Sequence, residues 1–146
     1  MEQALQEALA ACKENEVPVG AVLIDEQTHP IARAHNSPLT TNDPSAHAEI
    51  LALKKAGEIK KNYRLPGCIM ITTLEPCIMC MGALVQARID GLVFGCRDPK
   101  SGAAISRIDF FKDIPCFNHQ FWIKSDILQD RCRTLLQDFF SAKRNQ

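Results

Sequence analysis

The sequence predicts an α/β fold of three layers, with a mixed sheet of about five strands held between helices. Three observations lead there. Short β-branched apolar runs alternate with amphipathic stretches in the order α-β-β-α-β-α-β-(α)-β-α, which includes two consecutive αβ units. No internal repeat and no long linker divides the chain. Its 146 residues, 46% hydrophobic and 23% charged, suit a single domain, residues 1–146, with a sizeable core.

Leu5, Ala8, Leu9 and Cys12 fall at i, i+3, i+4 and i+7, so residues 2–14 read as an amphipathic helix. Val19 to Ile24 is a β-branched apolar run. Ile31 to Ala34 is a shorter one beyond the turn-like Asp25 to Pro30, and the pair reads as a hairpin. The polar stretch Asn36 to Pro44 reads as a loop ending in Asp43-Pro44, a helix-start signal in which Asp caps free N–H groups. The helix that follows opens with Ala46-His47-Ala48-Glu49 and is expected to stop at Gly57. Cys68 to Leu74 is another strand, and Pro76 opens a helix carrying Cys77, Cys80, Leu84 and Val85. Leu92 to Phe94 is a buried strand, and Ile105 to Ile114 forms a short helix after the Arg97 to Ala104 loop. Beyond Phe121 to Lys124, Ser125 is expected to cap a last helix striped by Ile127, Leu128, Cys132, Leu135, Leu136, Phe139 and Phe140.

Composition narrows the class. No apolar run approaches the roughly 20 residues that span a bilayer, and the first residues carry acids where a secretory signal carries Lys or Arg. A soluble, cytoplasmic protein without a membrane partner is expected. Seven cysteines in such a chain point to metal or thiol chemistry rather than a disulfide framework. Only Cys77 and Cys80 stand at ligand spacing; the other five, scattered among apolar neighbours, read as small buried hydrophobes. Net charge is zero, yet residues 1–50 hold two bases and eight acids while residues 51–146 hold fifteen and nine, weak support for an anionic partner of the basic half.

The chemistry concentrates in His47, Glu49 and Pro76-Cys77-Ile78-Met79-Cys80. One imidazole and two thiolates make three ligands for Zn2+ and leave a fourth position for water, the arrangement of a catalytic zinc. Cys77 and Cys80, in the first turn of one helix, meet free N–H groups and the positive end of the dipole, which favour thiolates. His47 also lies at a helix N-terminus. Glu49, two residues on, faces the water without ligating and serves as proton carrier, which suits hydrolytic removal of an amine from a ring carbon. Three other readings stay open: a structural zinc completed by Cys68 or His119, a redox pair, or a Cys77 nucleophile with His47 as base.

His47-Ala48-Glu49 with Pro76-Cys77-Ile78-Met79-Cys80 resembles the signature of the cytidine/adenosine zinc deaminases. Further blocks, Glu16 to Leu23, Asn36, Asp43 to Ile50, Asn62-Tyr63-Arg64-Leu65, Thr73 to Pro76, Val93 to Gly95, Arg97 to Ala103, Asn118-His119 and Leu135 to Phe140, resemble the bacterial tRNA-specific adenosine deaminases and carry the likeness almost to the C-terminus. The resemblance implies a cytidine-deaminase-like fold, a homodimer, one Zn2+ per subunit, and conversion of adenosine to inosine at the wobble position of a tRNA anticodon stem-loop. It implies that His47, Cys77 and Cys80 hold zinc and Glu49 shuttles protons. It further implies that Asn36 bonds the flipped nucleotide, that the N–H groups of Ala48 and Cys77 orient the base, and that Val17, Pro18 and Leu74 line the pocket. Asp98, Lys100, Asn118, His119 and Phe140 are then contacts to neighbouring nucleotides. A single-stranded loop suits such a reaction, because its base splays out at small unstacking cost.

Two departures stand out. The Asp25 to Pro30 turn is one residue longer than the family's, and the tail Ser141 to Gln146 is shorter and less basic, so RNA affinity leans on Lys54, Lys55, Lys60, Lys61, Arg64 and Arg107. Trp122 reads as core or subunit interface rather than a stacking platform. Two other functions keep the same site: a free-base or nucleoside deaminase acting on guanine or cytosine, and a non-catalytic, zinc-stabilised RNA-binding subunit. The uncoordinated Glu49 argues against the second.

Overall fold

Residues 1–145 are described by a computed structural model in which the chain runs α1 (Glu2–Lys13), β1 (Gly20–Ile24), β2 (Pro30–His35), α2 (Pro38–Thr41), α3 (Ala48–Lys60), β3 (Ile69–Leu74), α4 (Ile78–Gln86), β4 (Gly91–Cys96), α5 (Phe110–Asp113), β5 (Trp122–Lys124) and α6 (Gln129–Arg144). The strands form one sheet in the order β2-β1-β3-β4-β5. β1 is antiparallel to both neighbours, whereas β3, β4 and β5 run parallel, so the sheet is mixed as expected. Helix α4 supplies the crossover that a parallel β3-β4 pair needs.

Layering follows from the apolar stripes. α3 and α4 bury Ala52, Ala56, Met81 and Leu84 against Ala21, Leu23, Met70, Leu92 and Phe94 of the sheet. α1 and α6 meet in a smaller cluster of Leu5, Cys96 and Cys132. Close approach of α1 requires Gly20, where a Cβ would lie 2.0 Å from the Ala4 carbonyl oxygen and 2.6 Å from the Ala8 nitrogen. Among the described residues, no helix is long and apolar enough to cross a membrane.

Several boundaries differ from expectation. The Asn36 to Pro44 loop contains the one-turn helix α2, with Pro38 at its start. α3 begins at Ala48, and Asp43 accepts instead from the N–H and hydroxyl of Ser45. Gly57 lies inside α3. The helix ends four residues later at Lys61, whose left-handed backbone (φ 51°) terminates it while Asn62 N–H bonds the Gly57 carbonyl. Ser125 does not cap α6. Its hydroxyl donates to Asp126, and the helix starts after Leu128, itself left-handed. The expected Ile105 to Ile114 helix contracts to the four residues of α5.

Candidate metal centre and active site

The strand directions bring the site to one edge of the sheet. The C-terminal ends of β3 and β4, the segment entering β1 and the N-termini of α3 and α4 all converge there, the usual ligand position in an α/β sheet. His47 is the N-cap residue of α3 and Cys77 that of α4, and neither side chain caps its helix. Both turn toward a common point. The ligand atoms of His47, Cys77 and Cys80 lie within 4.8 Å of one another. His47 Nδ1 stands 3.6 Å from Cys77 Sγ and 3.5 Å from Cys80 Sγ. Tetrahedral zinc, with bonds of about 2.0–2.1 Å to nitrogen and 2.3 Å to sulfur, separates two such ligands by about 3.6 Å. The donor set therefore fits zinc in both chemistry and spacing. Neither Cys68 nor His119, the alternative fourth ligands, belongs to the cluster.

Without an ion in place, the electrostatics favour a thiolate at Cys77 and leave the proton on Cys80. A hydrogen bond from Cys80, helped by one with His47, holds the Cys77 thiol down at about 4. Cys80 keeps its proton well above the thiol range because it donates to Cys77 and is buried. The same Cys77 contact raises His47. Glu49, 3% exposed in the first turn of α3, is pushed up to about 6 by burial, which brings a carboxyl toward the range useful for taking and returning protons near neutrality.

A cavity of about 700 Å³ opens onto the cluster. Val17, Val19, Asn36, Leu74, His47, Glu49 and Cys77 form its inner wall, while Arg97, Asp98, Pro99, Lys100, Ser101, Leu136, Gln137 and Phe140 surround its mouth. Of the residues expected here, Val17, Asn36, Leu74, Asp98, Lys100 and Phe140 are thus brought together. Pro18, Asn118 and His119 are placed elsewhere, and Ala48 meets the cavity through Asn36. Pro18 is fully buried away from the cavity, since extended backbone alternates its faces and gives the wall to Val17 and Val19. The Ala48 N–H donates to Asn36 Oδ1 at 2.9 Å, which ties it to a residue of the cavity wall. Asn118 and His119 precede β5 at the opposite end of the sheet. There His119 Nε2 bonds the Ile89 carbonyl at 2.7 Å, just before β4.

Asn36 Oδ1, as acceptor of that N–H, leaves its amide nitrogen as the free group facing the cavity. Asp98 is engaged within its own turn, accepting from the N–H groups of Lys100 and Ser101 and from the Ser101 hydroxyl. Leu136 and Gln137, within the Leu135 to Phe140 block, join Phe140 at the mouth because residues one helical turn apart share a face of α6.

Comparison with known proteins decides the family. Residues 1–96 match the model for the cytidine and deoxycytidylate deaminase zinc-binding region. The chain belongs to this deaminase family. Within it, the chain is 42% identical to a tRNA-specific adenosine deaminase of Haemophilus influenzae over 146 residues, all of this chain and 84% of the relative. A solved structure from studies of A-to-I editing by tRNA:A34 deaminases at the wobble position shares 41% identity and a TM-score of 0.89, covering 93% of this chain and 97% of that one. A guanine deaminase of Bacillus subtilis shares 29% identity and a TM-score of 0.64 over 99% of this chain and 91% of its own. The family's zinc region contains all three clustered ligands and Glu49.

Proposed function

We propose that this protein is a tRNA-specific adenosine deaminase, a zinc-dependent hydrolase that converts adenosine to inosine at the wobble position of a tRNA anticodon stem-loop in the cytoplasm. The observation that carries this reading is the whole-chain similarity to tRNA-specific adenosine deaminases, joined to an open three-ligand cluster with Glu49 beside it. The whole chain, residues 1–146, works as one deaminase domain. The guanine deaminase reading rests on lower identity and a poorer superposition.

His47, Cys77 and Cys80 hold the ion. When bound, zinc supplies the Lewis acid that makes water nucleophilic near neutral pH. Glu49 takes the proton from the attacking water, passes one to the adenine N1, and returns one to the departing amine, so adenosine and water leave as inosine and ammonia. The Asn36 amide holds the base, with Ala48 keeping its orientation. Val17, Val19 and Leu74 exclude bulk water around the ring. Lys100 and Phe140 meet the flanking nucleotides by charge and stacking.

The working unit is a homodimer. The surface offered for it is a concavity of about 820 Å³ beside α3 and α4, where Leu53, Ala83 and the largely exposed Tyr63 stand among Lys54, Glu58 and Lys61. Sedimentation analysis at micromolar concentration tests it, and a monomer overturns it.

Mass spectrometry of a synthetic anticodon stem-loop with adenosine at the wobble position tests the reaction. The expected result is conversion of that one adenosine by the zinc-loaded protein and none by Glu49→Ala, which keeps its zinc. Turnover of guanine or cytosine with no RNA product would overturn the reading.

A further inference from the structure

Glu75 follows the last rung of β3 and precedes the Pro76-Cys77 start of α4, and its side chain is 2% exposed. A buried carboxylate needs partners. None of the ion pairs among the described residues involves it. Its partners all come from the segment after β4. Glu75 Oε1 accepts from the backbone N–H groups of Ala104 (3.1 Å), Ile105 (2.8 Å) and Ser106 (2.8 Å). Oε2 accepts from Asp98 N–H at 3.0 Å and from the Ser106 hydroxyl. Five donors saturate a carboxylate with about four lone-pair sites, so Glu75 has no capacity left to serve as a second base.

The backbone completes the fastening. Glu75 N–H bonds the Cys96 carbonyl and Ala103 N–H bonds the Pro76 carbonyl, at 2.9 and 2.8 Å. Between the two anchored ends, Asp98 to Ser101 project to the cavity mouth. Gly102 independently points to the same contact: a Cβ there would lie 2.5 Å from the Glu75 carboxyl and from the Asp98 carbonyl.

We propose that Glu75 is a positioning residue for substrate, its carboxylate serving as the internal anion around which residues 98–106 wrap so that Lys100 and its turn stand preformed over the cavity mouth. This rests on the RNA-deaminase reading above. Preorganisation of a binding loop lowers the cost of ordering it on association, so loss of the anchor should raise KM and leave the chemical step nearly alone.

The test compares wild type with Glu75→Gln, which replaces one acceptor by an NH2 that cannot accept from Asp98 N–H, and with Gly102→Ala, which pushes the loop off an intact carboxylate. Three quantities are read: KM and kcat on the anticodon stem-loop, bound zinc, and hydrogen exchange across residues 98–106. The expected result in both variants is a KM raised about tenfold, kcat within about twofold, unchanged zinc, and amides of Asp98 and Ala104 to Ser106 exchanging at least tenfold faster. Unchanged KM and exchange would overturn the proposal, as would loss of zinc with kcat falling at constant KM, which would make Glu75 a support of α4. Should Glu75→Gln fail to fold, Gly102→Ala decides on the same criteria. If wild type itself leaves the stem-loop unconverted, the RNA reading has failed, and the exchange data still judge the clamp.

Discussion

Asn36 joins two roles that substitution can separate. Its Oδ1 accepts the Ala48 N–H at 2.9 Å, satisfying a donor in the first turn of α3, while its amide nitrogen faces the cavity. Asn36→Ala removes both groups and strands a buried N–H, which costs about 1–3 kcal/mol. For a chain of this length that is a fall in Tm of roughly 3–10 °C. Asn36→Asp keeps the acceptor and places its charge at a helix N-terminus, an interaction worth about 0.3–1 kcal/mol, so Tm should stay within about 3 °C of wild type. It nevertheless lacks the donor, and kcat/KM on the stem-loop should drop roughly 10- to 100-fold in both variants. Calorimetry of the zinc-loaded proteins and steady-state deamination measure the two effects. An Asn36→Asp protein as unstable as Asn36→Ala, or one that deaminates like wild type, would refute this division of labour.

Two further outcomes follow from packing and burial. Gly20→Ala should destabilise by about 1–3 kcal/mol, because its methyl group meets the α1 backbone rather than a movable side chain; an unchanged urea midpoint would contradict the contact. Burial pushes the Cys96 thiol up to about 12, so between the unfolded value near 8.5 and about 12 the native state holds a proton that the unfolded chain has lost. The stability contributed by that neutral thiol is present below pH 8.5 and declines as pH rises through this window. The urea midpoint of wild type should therefore fall more steeply from pH 8 to pH 10.5 than that of Cys96→Ala, and parallel slopes would count against it.

The three-ligand cluster was legible because metal chemistry demands particular side chains at particular spacings, and His47, Cys77 and Cys80 satisfy that demand locally. The succession of strands and helices along the chain was legible from the apolar runs, whereas their order in the sheet came from the structure. What escaped was whatever depends on how elements meet. Pro18 and Val19 are both apolar, and only the pleat decides which faces the cavity. The resemblance implies that Asn118 and His119 contact neighbouring nucleotides, whereas the parallel β4-β5 pair carries them to the far end of the sheet within one subunit. Ser125 and Asp43 are good capping residues engaged by nearer partners, Asp126 and Ser45. Gly57 can end a helix, yet three more turn-forming residues follow it before Lys61 does so.

The cavity draws its two halves from different stretches of chain. The inner wall of the cavity lies between Val17 and Cys77, whereas Arg97, Lys100, Leu136, Gln137 and Phe140 at the mouth all come after β4. The metal ligands and the mouth of the cavity are therefore written in separate passages of one polypeptide. The mouth can vary in sequence beyond Cys96 without disturbing the ligands of the metal centre, and residues 97–101 and 136–140 are the stretches to randomise first when the surroundings of the site are to be changed.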